Sequence, residues 1–225
     1  MPASSTPFRL RHNGPNKDFL LSKINFCPRC ASPLTNVFDG GRDRQACPDN
    51  GCGFVHFGDF SIGCSGVVLR EEAGIHKALL IQRGQEPFAG TWQLPGGYVE
   101  NDELLSLAVE REIEEEAGVT AKVIDVVAFR HMLGGPSSNI YMIFRLEYVA
   151  GEPRYDGVET ADAGFYSLDD MATMRGVQNI SRWGIEQALQ TNPGSGLTLD
   201  TTGTRLPRWQ VFGLTEADPA VWQQR

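Results

Sequence analysis

The stretch GYVENDELLSLAVEREIEEEAGV, residues 97–119, carries the strongest pattern in this chain of 225 residues. Its apolar side chains recur at the spacing of one helix face, which predicts an amphipathic helix over residues 103–117. Either Asn101 or Asp102 is the expected N-cap, and Gly118 stands where a helix C-cap falls. The residues expected to be buried are Leu104, Leu105, Leu107, Ala108 and Ile113.

Three glutamates of this segment, Glu112, Glu115 and Glu116, stand at i, i+3 and i+4, so their carboxylates project from one side of the helix. Their mutual repulsion is weak on a solvated face and strong in a cleft, where a hard divalent cation such as Mg²⁺ would remove it. Residues 97–119 hold eight acidic side chains and one base, Arg111, and so contribute −7 of the formal net charge of −8.

A bare run of this kind is more often a solvated acidic helix face than a metal site. The loop Leu94-Pro95-Gly96-Gly97 before the helix and the matched Glu103 and Arg111 favour the metal site here. With these residues, the segment resembles the Nudix box. The resemblance runs from about residue 27 to residue 189.

The resemblance implies an α/β fold, an α/β/α sandwich with a mixed sheet, and a catalytic Mg²⁺ or Mn²⁺ ion. The implied metal ligands are Glu112, Glu115, Glu116 and the carbonyl of Gly96. Arg111 would orient Glu112, by pairing with Glu103.

Family members take the catalytic base from the box or from a later loop. Glu159, in the sequence Asp-Gly-Val-Glu, is the candidate base or extra metal ligand, and a plain loop acid is the alternative. Arg83 is a candidate phosphate contact or a surface salt-bridge residue. Tyr98, Phe129 and Tyr141 can stack on an adenine, although aromatic residues in strands more often belong to the core.

Four of the five cysteines form two short pairs: Cys27 and Cys30, then Cys47 and Cys52. Two such pairs with prolines and turn residues predict a structural zinc site with four thiolate ligands. The segment between them suits a hairpin over residues 33–46, so the module resembles a zinc ribbon. Disulfides are the main alternative, and the expected lack of a signal peptide argues against them. The fifth cysteine, Cys64, is expected to be an inert core residue.

The predicted organisation has four parts. Residues 1–22 form a flexible N-terminal arm, residues 23–58 a zinc ribbon, residues 59–190 the Nudix hydrolase domain, and residues 191–225 a linker and C-terminal tail. The tail carries Trp209, Phe212 and Trp222, which are expected to dock on the body or on a second subunit, because large aromatic side chains seldom stay in water.

The resemblance implies a pyrophosphohydrolase that splits a nucleoside diphosphate-linked small molecule, of the ADP-ribose or FAD type, into AMP and a second phosphorylated product. The Ser-Gln-Pro-Trp-Pro-Phe motif typical of NADH pyrophosphatases is absent from residues 129–138. An NADH pyrophosphatase, a nucleoside triphosphate sanitising hydrolase and a non-catalytic nucleotide-sensing regulator remain alternatives.

The amino-acid composition limits the classes of partner that we expect for this chain. The isoelectric point of about 5.0 makes nucleic acid an unlikely partner. No run of residues approaches the roughly 20 apolar residues that span a bilayer. With no targeting segment recognised, we expect a cytoplasmic protein. A homodimer is a further expectation from the resemblance.

Overall fold

The computed structural model describes residues 24–133, 138–201 and 209–215. The chain forms two compact units. The first contains the described residues 24–59, 133 and 138, and the second contains 60–132, 139–201 and 209–215. The predicted arm over residues 1–22 and the predicted docking of Trp222 lie outside the described residues.

The first unit is built on a hairpin of strands β1 (Thr35–Asp39) and β2 (Arg42–Ala46). The strands pair antiparallel from Thr35–Ala46 to Asp39–Arg42, with two glycines at the bend. The hairpin predicted over residues 33–46 is therefore confirmed. It brings the segments that carry the two cysteine pairs to the same end of the hairpin.

The second unit contains one eight-stranded mixed sheet. Its strands are β3 (Phe60–Glu72), β4 (Ile75–Arg83), β5 (Trp92–Gln93), β6 (Thr120–Met132), β7 (Ser138–Ala150), β8 (Thr160–Tyr166), β9 (Leu197–Leu199) and β10 (Phe212–Gly213). Their order is β10-β9-β6-β7-β3-β4-β5, and β8 pairs with β4.

Helices cover both faces of the sheet. They are α1 (Leu105–Ala117), α2 (Leu168–Thr173) and α3 (Asn179–Gln190). Alternate strand residues face opposite sides, because side chains alternate along a strand. Val68 and Phe144 pack with Ile113 of α1, whereas Val67 and Ile143 pack with the residues of α2 and α3. The predicted α/β/α sandwich is confirmed.

Helix α1 departs from its prediction at its N-terminal end. It begins at Leu105, and the N-cap is Leu104, so the expected capping by Asn101 or Asp102 is wrong. The expected burial of Leu107 is also wrong, since this side chain is 52% exposed. The start lies later than expected because Glu103 is drawn away from the helix: its carboxylate accepts hydrogen bonds from the backbone N–H of Glu100 and from a guanidinium.

At its C-terminal end α1 closes as expected on Gly118, which has φ 66°. Ser167 and Asp170 form a capping box at the start of α2. Within the described residues, no helix is long and apolar enough to cross a membrane.

The segment expected to be a linker after α3 contains β9, which pairs with β6 and β10. A buried ion pair holds its start. Arg145 Nε lies 3.2 Å from Asp125 Oδ1, and Arg145 also donates to the carbonyl of Thr191. The other oxygen of Asp125 accepts the N–H groups of Gly194 and Gly196. These residues therefore tie the segment into the sheet.

The tail residue Phe212 packs edge-to-face on Phe144, with ring centroids 5.8 Å apart. This confirms the expected docking on the body for Phe212. A further contact joins the tail to α1: Gln210 accepts the N–H of Ser106 at 3.3 Å and donates to its hydroxyl. The N-terminus of α1 is thereby capped by a residue 104 positions away.

Candidate active site

The loop before α1 lies directly on strand β3. Pro95 O accepts the N–H of Gly66 at 3.0 Å, and Gly97 O accepts the N–H of Cys64 at 2.9 Å. A Cβ on Gly96 would stand 2.1 Å from Cys64 O, and its φ of 152° is one that side-chain-bearing residues rarely adopt. Only glycine lets the loop approach β3 this closely.

Two of the box carboxylates meet this loop. The N–H of Gly96 donates to Glu116 Oε2 at 2.7 Å. The carboxylate of Glu112 lies so close to Gly97 that a Cβ there would be 2.5 to 2.8 Å from its three atoms. Helix α1 supplies both glutamates from one face, and the buried face of α1 packs on the sheet that carries the loop.

The guanidinium of Arg111 contacts three carboxylates of the box. Arg111 donates to both oxygens of Glu103, at 3.0 and 2.8 Å, and a bidentate pair of this kind has fixed geometry. It also lies 3.1 Å from Glu112 and donates to Glu115 at 2.8 Å. The Arg111–Glu103 pair hypothesised from the sequence is present, and it places Arg111 between Glu112 and Glu115. Glu115 is the most exposed of the three predicted ligands, at 60% of its side chain.

Burial acts strongly on the two inner carboxylates. Burial raises the pKa of Glu116 to about 8, and the negative charge of Glu112 adds to the effect. Burial also raises the pKa of Glu112, against the opposing field of Arg111. Carboxylates held together out of water favour a proton or a cation between them. The donor set is made of oxygens only, so it fits a hard divalent cation such as Mg²⁺ or Mn²⁺.

Arg83 and Glu159 adjoin this cluster. The charges of both act on the pKa of Glu116, with Arg83 lowering it and Glu159 raising it. Arg83 ends strand β4 and donates from Nε to the carbonyl of Pro87 at 3.2 Å. Glu159 is exposed, and its carbonyl accepts the N–H of Gly84, the residue after Arg83. The structure therefore brings both predicted residues to the site.

The three aromatic candidates differ in exposure. Tyr98 and Phe129 are 64% and 68% exposed, so their rings are open to a ligand. Tyr141 packs against the core on the α3 side, and Arg130 lies over its ring at 5.2 Å. Burial raises the pKa of Tyr141 to about 12. Its ring also fills the space beside Gly63, so Tyr141 serves as a packing residue.

The Nudix-box pattern did not predict the roles of several residues around the site. Gly97 belongs to the quoted loop, but its contact with Glu112 depends on how α1 packs on the sheet. Gln210 reaches α1 from the far end of the chain. Asp156 had a local signal, since Asp-Gly favours a turn. Its carboxylate organises the loop of Glu159, and backbone N–H donors lower the pKa of Asp156 to about 2.

The first unit contains a separate cluster of candidate metal ligands, the four cysteine sulfurs. The sulfurs of Cys27, Cys30, Cys47 and Cys52 all lie within 4.8 Å of one another. The distance is 3.5 Å both for the Cys27–Cys52 pair and for the Cys30–Cys47 pair. That is too long for a disulfide, whose S–S bond is about 2.05 Å. It is close to the edge of a thiolate tetrahedron around zinc, about 3.8 Å for Zn–S bonds of about 2.3 Å.

The thiols of this cluster are unequally disposed to ionise. Hydrogen bonding with Ser32 lowers the pKa of Cys30 to about 6, whereas burial raises the pKa of Cys47 to about 12. Four thiolates in so small a volume need a cation to balance them. Cys64, by contrast, is fully buried in the second unit, as expected of a core residue, and burial raises its pKa to about 12.

Two named proteins have sequences similar to that of this chain. The NAD-capped RNA hydrolase NudC of Stutzerimonas stutzeri is 29% identical over 175 residues, 77% of this chain and 59% of that protein. The ADP-ribose pyrophosphatase of Methanocaldococcus jannaschii is 33% identical over 119 residues, 49% of this chain and 64% of that protein. The chain thus spans about three-fifths of the length of these two relatives.

The fold has a counterpart among solved structures. The crystal structure of a NUDIX hydrolase from Nitrosomonas europaea matches with a TM-score of 0.61 at 22% identity, over 76% of this chain and 95% of that one. A family model for the NUDIX domain matches residues 62–184, more than half of the chain, and takes in the glycine loop, the helix and its glutamates. By that match the chain belongs to the Nudix family.

Proposed function

We propose that this chain is a hydrolase that depends on a divalent cation and cleaves the diphosphate bond of a nucleoside diphosphate derivative, of the ADP-ribose or FAD type. The observation that carries the proposal is the convergence of Glu112 and Glu116 on the Gly96–Gly97 loop. Buried carboxylates that repel each other have no structural benefit unless a cation neutralises them. A cation shared with substrate phosphates gives the arrangement a use.

The residues that would hold Mg²⁺ or Mn²⁺ are Glu112, Glu115, Glu116 and the carbonyl of Gly96. The bound ion would activate water and neutralise charge on the phosphates. Arg111 keeps Glu112 in place through its paired contact with Glu103. The hydrogen bond from Gly96 fixes Glu116.

Two residues have proposed roles toward the substrate and water. Glu159 would accept the proton of the water that attacks one phosphorus, while the P–O–P bond to the other phosphorus breaks. The products would be AMP and a second phosphorylated compound. Arg83 would pair with phosphate oxygens, and the exposed ring of Tyr98 or Phe129 would stack on the base.

The ADP-ribose type is supported by the named activity of the Methanocaldococcus relative. An NAD-linked substrate is the second candidate, because the relative matched over 77% of this chain is named an NAD-capped RNA hydrolase. Both classes place a diphosphate next to adenosine, so they would use the same carboxylates and differ in the group beyond the second phosphate.

The test is a turnover panel on purified protein with Mg²⁺ or Mn²⁺. ADP-ribose, FAD, NADH, a dinucleoside polyphosphate and a nucleoside triphosphate would be compared, with products resolved by chromatography. AMP formed much faster from ADP-ribose or FAD than from the others supports the proposal. Fastest turnover of NADH favours the second candidate. Tight nucleotide binding without turnover would instead indicate a regulator.

Matched variants of α1 test the site itself. Glu115→Gln and Glu116→Gln are expected to lower turnover by about 10² to 10⁴-fold, in the range typical of lost catalytic groups. Glu114→Gln is the control, because Glu114 is exposed on the same helix and lies outside the proposed ligand set. Near wild-type turnover in Glu116→Gln would exclude the proposed site.

We further propose that the four cysteines of the first unit bind one structural zinc ion. All four ligands come from the protein, which is typical of closed structural sites rather than catalytic ones. The sulfur distances and the absence of a disulfide among the described cysteines support this proposal.

A further inference from the structure

The carboxylate of Asp156 organises the loop between β7 and β8. Its Oδ1 accepts the backbone N–H of Val158 at 2.8 Å and those of Glu159 and Thr160 at 3.0 Å each. The hydroxyl of Thr160 is a fourth donor, at 3.2 Å. One side-chain atom therefore fixes the directions of three successive amides, including the amide of Glu159.

A second anchor holds the carbonyl of Glu159. The N–H of Gly84 donates to the carbonyl of Glu159 at 2.8 Å, and Thr160 pairs with Arg83 in the sheet. A Cβ on Gly84 would lie 2.6 Å from Val158 O, so the loop and the end of β4 are in close contact. Both the N–H and the carbonyl of Glu159 are thus held, while its side chain is exposed.

We infer that Asp156 is a positioning residue, which aims the carboxylate of Glu159 at the water that attacks the substrate. The inference rests on the proposed role of Glu159 as the catalytic base. A general base must lie within about 2.6 to 3.2 Å of the proton it takes, so the backbone beneath it has to be placed as precisely as the side chain. Gly84 holds the carbonyl of Glu159, and the N–H of Gly157 closes the loop on the carbonyl of Thr160, whereas the N–H of Glu159 donates to Asp156.

The inference fits the exposure of Glu159. The orientation of a buried side chain is set by its packing neighbours, but the orientation of an exposed side chain depends mainly on its backbone. The loop 156–160 also contains Gly157 at φ 75°, which lets the chain fold back so that three amides face one oxygen. The Asp156 oxygen that closes this turn therefore also fixes the backbone position from which the Glu159 side chain extends.

The experiment is a double-mutant cycle on the full chain, with the best substrate of the turnover panel. Glu159→Gln alone is expected to lower kcat about 10² to 10⁴-fold. Asp156→Ala alone is expected to lower kcat about 10 to 100-fold with KM little changed, as a misplacement near 1 Å does. In the Glu159→Gln background, Asp156→Ala is expected to lower kcat by less than about two-fold, because it acts through Glu159.

Two further measurements separate positioning from loss of the fold. Amide hydrogen exchange at residues 158–160 is expected to speed up in Asp156→Ala while exchange in α1 stays unchanged. Asp156→Asn keeps an oxygen acceptor and is expected to recover part of kcat. Asp169→Ala removes an exposed aspartate on α2 and is the control for removal of a negative charge.

Each outcome has a distinct meaning. Equal losses from Asp156→Ala in both backgrounds would show a general structural role and overturn the inference, as would unchanged exchange at residues 158–160. Wild-type kcat in Glu159→Gln would remove the proposed base and the inference with it, while the turnover panel still upholds the hydrolase. No turnover by the wild-type chain on any substrate would overturn the proposed function instead.

Discussion

Replacing Gly97 with alanine displaces a carboxylate without disturbing the backbone. The new Cβ would stand 2.5 Å from Glu112 Oε1, about 0.9 Å closer than ordinary van der Waals contact begins. Its close neighbours are the three carboxylate atoms of Glu112, at the end of a flexible side chain, so this group moves and the fold does not. A shift near 1 Å at a reacting centre costs about 10²-fold in rate. We therefore expect Gly97→Ala to lower kcat about 100-fold.

The neighbouring glycine supplies the contrast for this test. A Cβ on Gly96 would meet the carbonyl of Cys64 at 2.1 Å, and backbone cannot step aside as a side chain does. Gly96→Ala should therefore lower the free energy of unfolding in urea, whereas Gly97→Ala should leave it within about 0.5 kcal/mol of wild type. Steady-state kinetics and urea denaturation of both variants make the comparison. Wild-type kcat in a well-folded Gly97→Ala protein would refute the placement of Glu112 in the site.

Three further perturbations have defined outcomes. Asp125→Ala leaves the buried charge of Arg145 without its partner and should cost about 3 to 5 kcal/mol of unfolding free energy in urea, and a loss under 1 kcal/mol would contradict the buried pair. Gln210→Ala removes the acceptor at the start of α1 and should cost about 1 kcal/mol, with faster amide exchange at Ser106; unchanged exchange there would exclude the cap. Cys47→Ser should lower bound zinc, measured by elemental analysis, well below about one ion per chain, and full occupancy would exclude the four-thiolate site.

Local spacing predicted much of the site. The i, i+3 and i+4 positions place Glu112, Glu115 and Glu116 on one side of α1 whatever the helix packs against. The Arg111–Glu103 pair does not follow from helix geometry, because Glu103 lies outside α1, and it was expected from the resemblance to the Nudix box. The hairpin of the first unit was also predictable, since its turn lies between two short strands with glycines at the bend.

Features that depend on distant parts of the chain were not predictable in this way. Strand β9 is three residues long and forms because β6 offers an open edge. The extension after α3 is anchored by Asp125, which is hydrogen-bonded to Gly194 and Gly196, roughly 70 residues away in the sequence. No local pattern marks such an aspartate as the acceptor for glycines of another segment.

The start of α1 shows how a local expectation fails for a physical reason. Asn101 and Asp102 are good N-caps by residue type, yet Glu103 accepts from Glu100 and Arg111 instead and holds the chain outside the helix. The helix therefore starts at a leucine that cannot cap it. The N–H of Ser106, which has no capping side chain at Leu104, donates instead to Gln210 of the tail.

This arrangement couples the start of α1 to the C-terminal tail. Glu103 lies outside the helix and accepts hydrogen bonds from Arg111. Arg111 in turn forms ion pairs with Glu112 and Glu115. The first turn of α1 is therefore capped by Gln210 of the tail, so the stability of α1 depends on a residue far outside the Nudix box. A chain cut after residue 201 should keep the carboxylates in register, because helix geometry sets their spacing, but its first helical turn should fray. Amide exchange along α1 in the shortened chain measures this: fast exchange confined to the first turn supports the coupling, and unchanged exchange there contradicts it.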